Sequence, residues 1–141
     1  WINSYLSLIV PWMVTPFGIF LLRQFISTIP KDIEEAARID GASVWYILFR
    51  VIMPICKPIL TVLAIYTFLG NWNSFLFPYL FTNEDIYRTL PVGLTFYLGK
   101  QSIDWGHLMA GAGISALPIL VIFIFFQKQI IQGLTAGALK E

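Results

Sequence analysis

Carboxylates at Asp32, Glu34, Glu35 and Asp40 crowd one short polar stretch that ends in Gly41. Between them lie Ala36 and Ala37, strong helix formers that present almost no side chain, so another surface can approach the backbone closely. That combination suits docking rather than catalysis. A second group is Asn71-Trp72-Asn73-Ser74, with Tyr66 shortly before it, inside an apolar run. Amides in such surroundings need partners or a cavity. Amides beside rings suit sugars, whose faces stack on aromatics while their hydroxyls require donors and acceptors. The competing reading is an aromatic belt whose amides bond to neighbouring backbone. His107 has no second ligand at metal-like spacing and reads as an interfacial histidine. No loop of the form G-x-x-x-x-G-K-S/T occurs, nor any nucleophile paired with a base. The expected chemistry is therefore recognition and movement, with no enzymatic activity in this chain.

The elements that carry these groups follow from composition. Hydrophobic residues make up 57% of the chain and charged residues 12%, against roughly half and a quarter in soluble domains. Charge-free runs of about 20 residues fall at 4–22, 58–81 and 108–126. They predict an all-α, polytopic membrane bundle with three crossings. A helical bundle in water would need charged faces that these runs lack. No ionisable residue lies within them, which weighs against a proton- or sodium-driven secondary transporter. Prolines at Pro11, Pro16 and Pro118 predict kinks, either static or part of a gate. Gly111 with Ser115, and Ala112 with Ala116, have the small-xxx-small spacing of close helix packing.

Orientation follows from the basic residues. Arg23, Lys31, Arg38, Arg50 and Lys57 lie in loop 23–57, and Lys128 and Lys140 in the tail 127–141, against Arg88 and Lys100 in loop 82–107. The first two segments are expected in the cytoplasm and the third outside, with the C-terminus cytoplasmic. A net charge of +1 gives no reason to expect nucleic acid. Cys56 is alone and reads as a packing residue. The first apolar run has no basic leader and is interrupted by prolines, so no cleavable signal peptide is expected.

Within loop 23–57, Pro30 suits a first helical turn and Asp32, Glu34 and Glu35 suit the positive end of the helix dipole. Glu34 and Arg38 are four apart and predict an exposed ion pair. Gly41 is placed to end the helix in a left-handed conformation. Ser43 can cap a following helix over 44–52, leading to Met53-Pro54.

The spacing Glu35-Ala36-Ala37, three residues, Gly41, nine residues, then Val51-Ile52-Met53-Pro54 resembles the EAA motif of permease subunits of bacterial ABC importers. The ending Gly133-Leu134-Thr135-Ala136-Gly137-Ala138-Leu139-Lys140, with Trp72-Asn73 before Phe75-Leu76-Phe77-Pro78, is similar to the maltose-type carbohydrate permeases. Glu141 departs from the usual final glycine, and Val51 and Met53 replace the usual Ile and Leu. The resemblance implies the C-terminal part of a permease of about six spans, in the bacterial inner membrane. It implies that Glu35, Ala36, Ala37, Asp40, Gly41 and Pro54 couple to an ATPase subunit dimer. Gly133, Gly137 and Lys140 would add a tail contact through an extended strand or turn. Loop 82–107 would meet an extracytoplasmic solute-binding protein, and a second permease subunit would complete the pair. ATP and Mg would bind the partner ATPase, leaving no cofactor on this chain. Tyr66, Asn71, Trp72 and Asn73 are the candidates for a sugar translocation path. Relatives carrying glycerol phosphate, amino acids or peptides share the EAA motif and remain the alternative.

Overall fold

The computed structural model describes residues 2–99 and 102–136, with side chains as far as Gln129. Among these residues the chain is helical, with one isolated antiparallel bridge, Leu98 to Ile103. The expected all-α class is what the structure has. Two compact units emerge among the described residues, one from 2–14 and 66–128, the other from 15–65 and 129–136.

The first apolar run is broken rather than continuous. Ser4 caps α1 (Tyr5–Ile9) by accepting from the Leu6 N–H at 3.0 Å, and a 3-10 turn, Val10–Trp12, contains Pro11. A new helix, α2 (Pro16–Ile26), begins where Thr15 accepts from the Gly18 N–H at 3.1 Å. Pro16 therefore opens a helix, where its missing N–H costs nothing, instead of kinking one.

The second unit continues with α3 (Lys31–Ile39) and a helical stretch in three parts. These are α4 (Val44–Tyr46), a π-helical turn over Ile47–Ile52, and α5 (Met53–Ile55). Pro30 is the N-cap of α3 and not its first residue, since its ψ of 131° is extended. At Cys56, 2% exposed, the chain bends by 75° into α6 (Lys57–Trp72). Gly18 lets α2 approach this helix closely, because a Cβ there would meet the Leu63 side chain at 3.2 Å. Ile47, Cys56, Ile59 and Ile65 are buried.

The run 58–81 is also interrupted. Residues 73–75 lie outside helix, and α7 (Leu76–Phe81) follows. The side-chain amides of Asn71 and Asn73 donate to the Thr67 and Leu69 carbonyls at 2.8 and 2.9 Å. Side chains that compete for backbone carbonyls in this way favour helix ends. Asn3, at φ +55°, ties the chain start to the end of α7. Its N–H donates to the Phe81 carbonyl at 2.9 Å, and its Oδ1 accepts from the Asn83 N–H at 2.6 Å. A short helix, α8 (Leu90–Leu94), buries Val92 to 1% exposure.

The last helix, α9 (Trp105–Ala136), is long and contains Pro118. Asp104 caps it by accepting from the His107 N–H at 3.2 Å. Its apolar stretch Trp105–Gln129 has 25 residues, and an 18-residue window within it has a mean hydropathy of 2.4. At 1.5 Å per residue that is about 37 Å, enough to cross a hydrocarbon core of about 30 Å. It is the one described helix that meets this test unaided. Tyr5–Trp12 with Pro16–Ile26, and Val44–Ile55 with Lys57–Trp72, meet it only as bent pairs. Gly111 lies against α8, since a Cβ there would strike Leu94, so the small-residue stripe serves packing at that point.

Candidate functional site: a displayed helix and an aromatic cavity

The sequence of α3 fixes both its ends. Asp32 and Glu34 stand in its first turn and Arg38 in its last, each on the side favoured by the helix dipole. The Glu34 carboxylate pairs with the Arg38 guanidinium at 2.6 Å. Both side chains are largely exposed, so the pair adds a few tenths of a kcal/mol at most. At the other end Gly41 adopts φ +80°. Its N–H donates to the Arg38 carbonyl at 3.0 Å, and the Ala42 N–H donates to the Ala37 carbonyl at 3.0 Å. This double closure is a Schellman motif, and it needs a residue tolerant of the left-handed region.

Glu35, Ala36, Asp40 and Gly41 are exposed, while Ala37 is half-buried. The side chains beside them carry a signal that sequence reasoning missed. Ile39 is 87% exposed, Val44 71% and Trp45 70%. Trp45 stacks on Phe49 with ring centres 6.1 Å apart. An acidic helix flanked by displayed apolar groups has the composition of a contact surface. Ile39 and Trp45 could have been noticed in the sequence as apolar residues on a loop otherwise rich in charge.

Pro54 is exposed as well. It lies in α5, directly after the π-helical turn. In a regular helix its ring would collide with the carbonyl four residues back, at Arg50. Widening the preceding turn relieves that collision, and the Met53 N–H accordingly donates to the Leu48 carbonyl, five residues back. Ser43 accepts from the Tyr46 N–H at 3.3 Å, at the start of the same helical stretch.

Of the four path candidates, the structure brings two together. Asn71 and Trp72 line a cavity of about 300 Å³ with Trp12, Phe68, Ser74 and Thr89. Tyr66 and Asn73 are exposed and do not line it. The Trp72 indole N–H donates to the Ser115 carbonyl at 2.9 Å, and its ring stacks on Phe68 at 5.6 Å. Both side-chain amides, Asn71 in α6 and Asn73 just after it, donate to α6 carbonyls four residues back. The amides are thus bonded to neighbouring backbone, while Asn71 and Trp72 still border the cavity. Trp12 was not singled out from the sequence, because nothing polar lies beside it there.

On loop 82–107, His107 Nδ1 lies 2.7 Å from Asp104 Oδ2, and its ring stacks on Tyr97 at 5.3 Å. The His107 backbone N–H, then its ring, hold the Asp104 carboxyl below its ordinary range. Among the described residues no three His, Cys, Asp or Glu side chains gather as a metal site. Of the tail candidates, Gly133 lies inside α9 rather than in an extended strand or turn, because the last helix runs on to Ala136. Gly137 and Lys140 lie outside the described residues.

Residues 1–136 match the family of binding-protein-dependent transport system inner membrane components. The chain belongs to that family, which makes it part of a helical membrane permease. It is 41% identical to the trehalose/maltose transport system permease protein MalG of Thermococcus litoralis, over 99% of this chain and 51% of the relative. Identity is 37% with the arabinooligosaccharides permease AraQ of Bacillus subtilis, over 99% and 50% of the two chains. With the diacetylchitobiose uptake permease DasC of Streptomyces coelicolor it is 36%, over 96% and 49%. The chain spans about half the length of these curated relatives.

Proposed function

We propose that this chain forms the coupling half of the membrane subunit of an ATP-driven, binding-protein-dependent carbohydrate importer. One observation carries the reading: α3 displays Glu35 and Ala36 on a helix closed at Gly41, and it leads through the Pro54 turn into α6. A motor bound to α3 would reach the apolar helices through this short, bent stretch. ATP and Mg are held by a separate ATPase dimer, and this chain supplies no catalytic group. Glu35, Ala36, Ala37, Asp40 and Gly41 make the contact, with Ile39 and Trp45 as its apolar border. The tail, at Gly133, Gly137 and Lys140, adds a second contact with the same partner.

The chain sits in the bacterial inner membrane with α3 and the C-terminus in the cytoplasm, as its basic residues favour. Loop 82–107 faces outward toward a solute-binding protein, and a second permease subunit completes the pathway. Asn71 and Trp72 border the sugar path. The names of the relatives favour an oligosaccharide over glycerol phosphate, an amino acid or a peptide. The test is uptake into proteoliposomes holding the complete complex, with a panel of radiolabelled oligosaccharides. ATP-dependent accumulation of at least one supports the reading, and accumulation of an amino acid or peptide instead would replace it.

A further inference from the structure

The stretch Val44–Ile55 lies between the displayed helix α3 and α6, and its composition suits neither water nor a close helix neighbour. Ile47 and Cys56 are buried and Val51 and Ile52 half-buried, so one side turns inward. The outward side carries Tyr46, Phe49, Arg50 and Met53. Tyr46 and Phe49 are each 57% exposed. Close helix packing in membranes uses small residues, whereas large rings beside a cation are typical of the boundary between membrane and water. Length and direction agree. The three parts of the stretch hold 3, 6 and 3 residues, about 18 Å of helix at 1.5 Å per residue. That falls short of a hydrocarbon core of roughly 30 Å and fits an interfacial segment. A bend of 75° separates the stretch from α6. With α6 crossing the bilayer, Val44–Ile55 runs almost parallel to the membrane surface.

Charge selects the partner. Arg50 and Lys57 are the sole charges between Gly41 and Asn83 in the sequence. Both are exposed, and neither forms an ion pair among the described residues. Just before them, α3 holds Asp32, Glu34 and Glu35 against Lys31 and Arg38, and Asp40 follows it. An anionic surface therefore attracts the basic stretch and repels the acidic helix. The two segments face opposite ways, the aromatic side toward the leaflet and α3 toward water and its partner. Trp45, which borders the α3 contact, stacks on Phe49 and marks where the two surfaces meet.

We infer that Tyr46, Phe49, Arg50 and Lys57 form a docking surface for anionic phospholipid headgroups of the cytoplasmic leaflet, anchoring the stretch that links α3 to α6; the inference rests on the cytoplasmic orientation proposed above. The test places a photoreactive diazirine amino acid at position 49 of the complete complex, in vesicles of equal parts phosphatidylglycerol and phosphatidylcholine. Adducts on lipid are expected, with phosphatidylglycerol favoured roughly fivefold or more, the effect of one cation at a charged surface. Arg50→Gln combined with Lys57→Gln brings the two lipids to equal yield, and Arg50→Lys keeps the wild-type preference. Adducts on a protein chain, or none at all, overturn the docking surface. Equal lipid yields in the wild type, or a preference that survives the double substitution, overturn it as well. Crosslinking from position 36 reads the importer proposal separately. Phosphatidylglycerol adducts at 49 without an ATPase adduct at 36 keep the lipid surface and remove the motor.

Discussion

The indole N–H of Trp72 donates to the Ser115 carbonyl at 2.9 Å, joining the end of α6 to the middle of α9. Pro118 lies three residues further along, where a proline weakens the backbone ladder of a membrane helix. The carbonyl that Pro118 leaves without a helical donor is that of Ile114, so Trp72 binds α9 one residue from its weakened point. Trp72→Phe keeps the stacking on Phe68 and removes only this bond. A loss of about 1 kcal/mol is expected, read as a lower unfolding temperature in detergent. Trp72→Phe with wild-type stability would mean the bond contributes nothing.

At Gly41 a Cβ would meet nothing within 4 Å, so any cost of substitution is conformational rather than steric. A left-handed alanine costs roughly 1 kcal/mol, asparagine less, and proline most, because it also deletes the N–H that donates to Arg38. Uptake should fall in the order Gly41→Asn, Gly41→Ala, Gly41→Pro, with membrane insertion unchanged throughout. Equal uptake across the three would contradict a role for the helix closure.

Pro54→Ala restores an N–H and removes the reason for the widened turn over Ile47–Ile52. Reverting to a regular helix removes one residue of phase, about 100° at 3.6 residues per turn. The variant is expected to be at least as stable as the wild type and yet severely impaired in uptake. Spin-label distances from α3 to α6 should change accordingly. Wild-type uptake would show that the phase of this stretch is unimportant.

The depressed pKa of Asp104 has a definite sign. A carboxyl whose folded pKa is lowered contributes stability above its unfolded value, and that contribution disappears as pH falls through the folded value. The first turn of α9 should therefore loosen only below the ordinary carboxylate range, under about pH 4. Hydrogen exchange at the His107 amide reads this directly. Asp104→Asn keeps an accepting oxygen at the cap and should abolish the pH dependence; persistence of the dependence would assign it to another group.

Legibility followed the range of the interactions. The Glu34–Arg38 pair, the Gly41 closure and the Ser43 cap each depend on residues within five positions, so their chemistry stands in the local sequence. The breaks in the apolar runs were local too but were hidden by composition. A count of charges does not register that Thr15 with Pro16 starts a helix, or that Asn71 and Asn73 help end one. The remaining features join distant positions: Asn3 reaches Asn83 and Glu84, and Trp72 reaches Ser115. No periodicity in the chain encodes those pairings.

The central claim is that α3 is gripped by the ATPase. A photo-crosslinking amino acid at position 36, in the complete complex, tests it most directly. The account predicts a crosslink to the ATPase subunit whose yield changes between the nucleotide-free and ATP-bound states. No crosslink to that subunit, or crosslinks formed only with proteins on the outer side of the membrane, would contradict it.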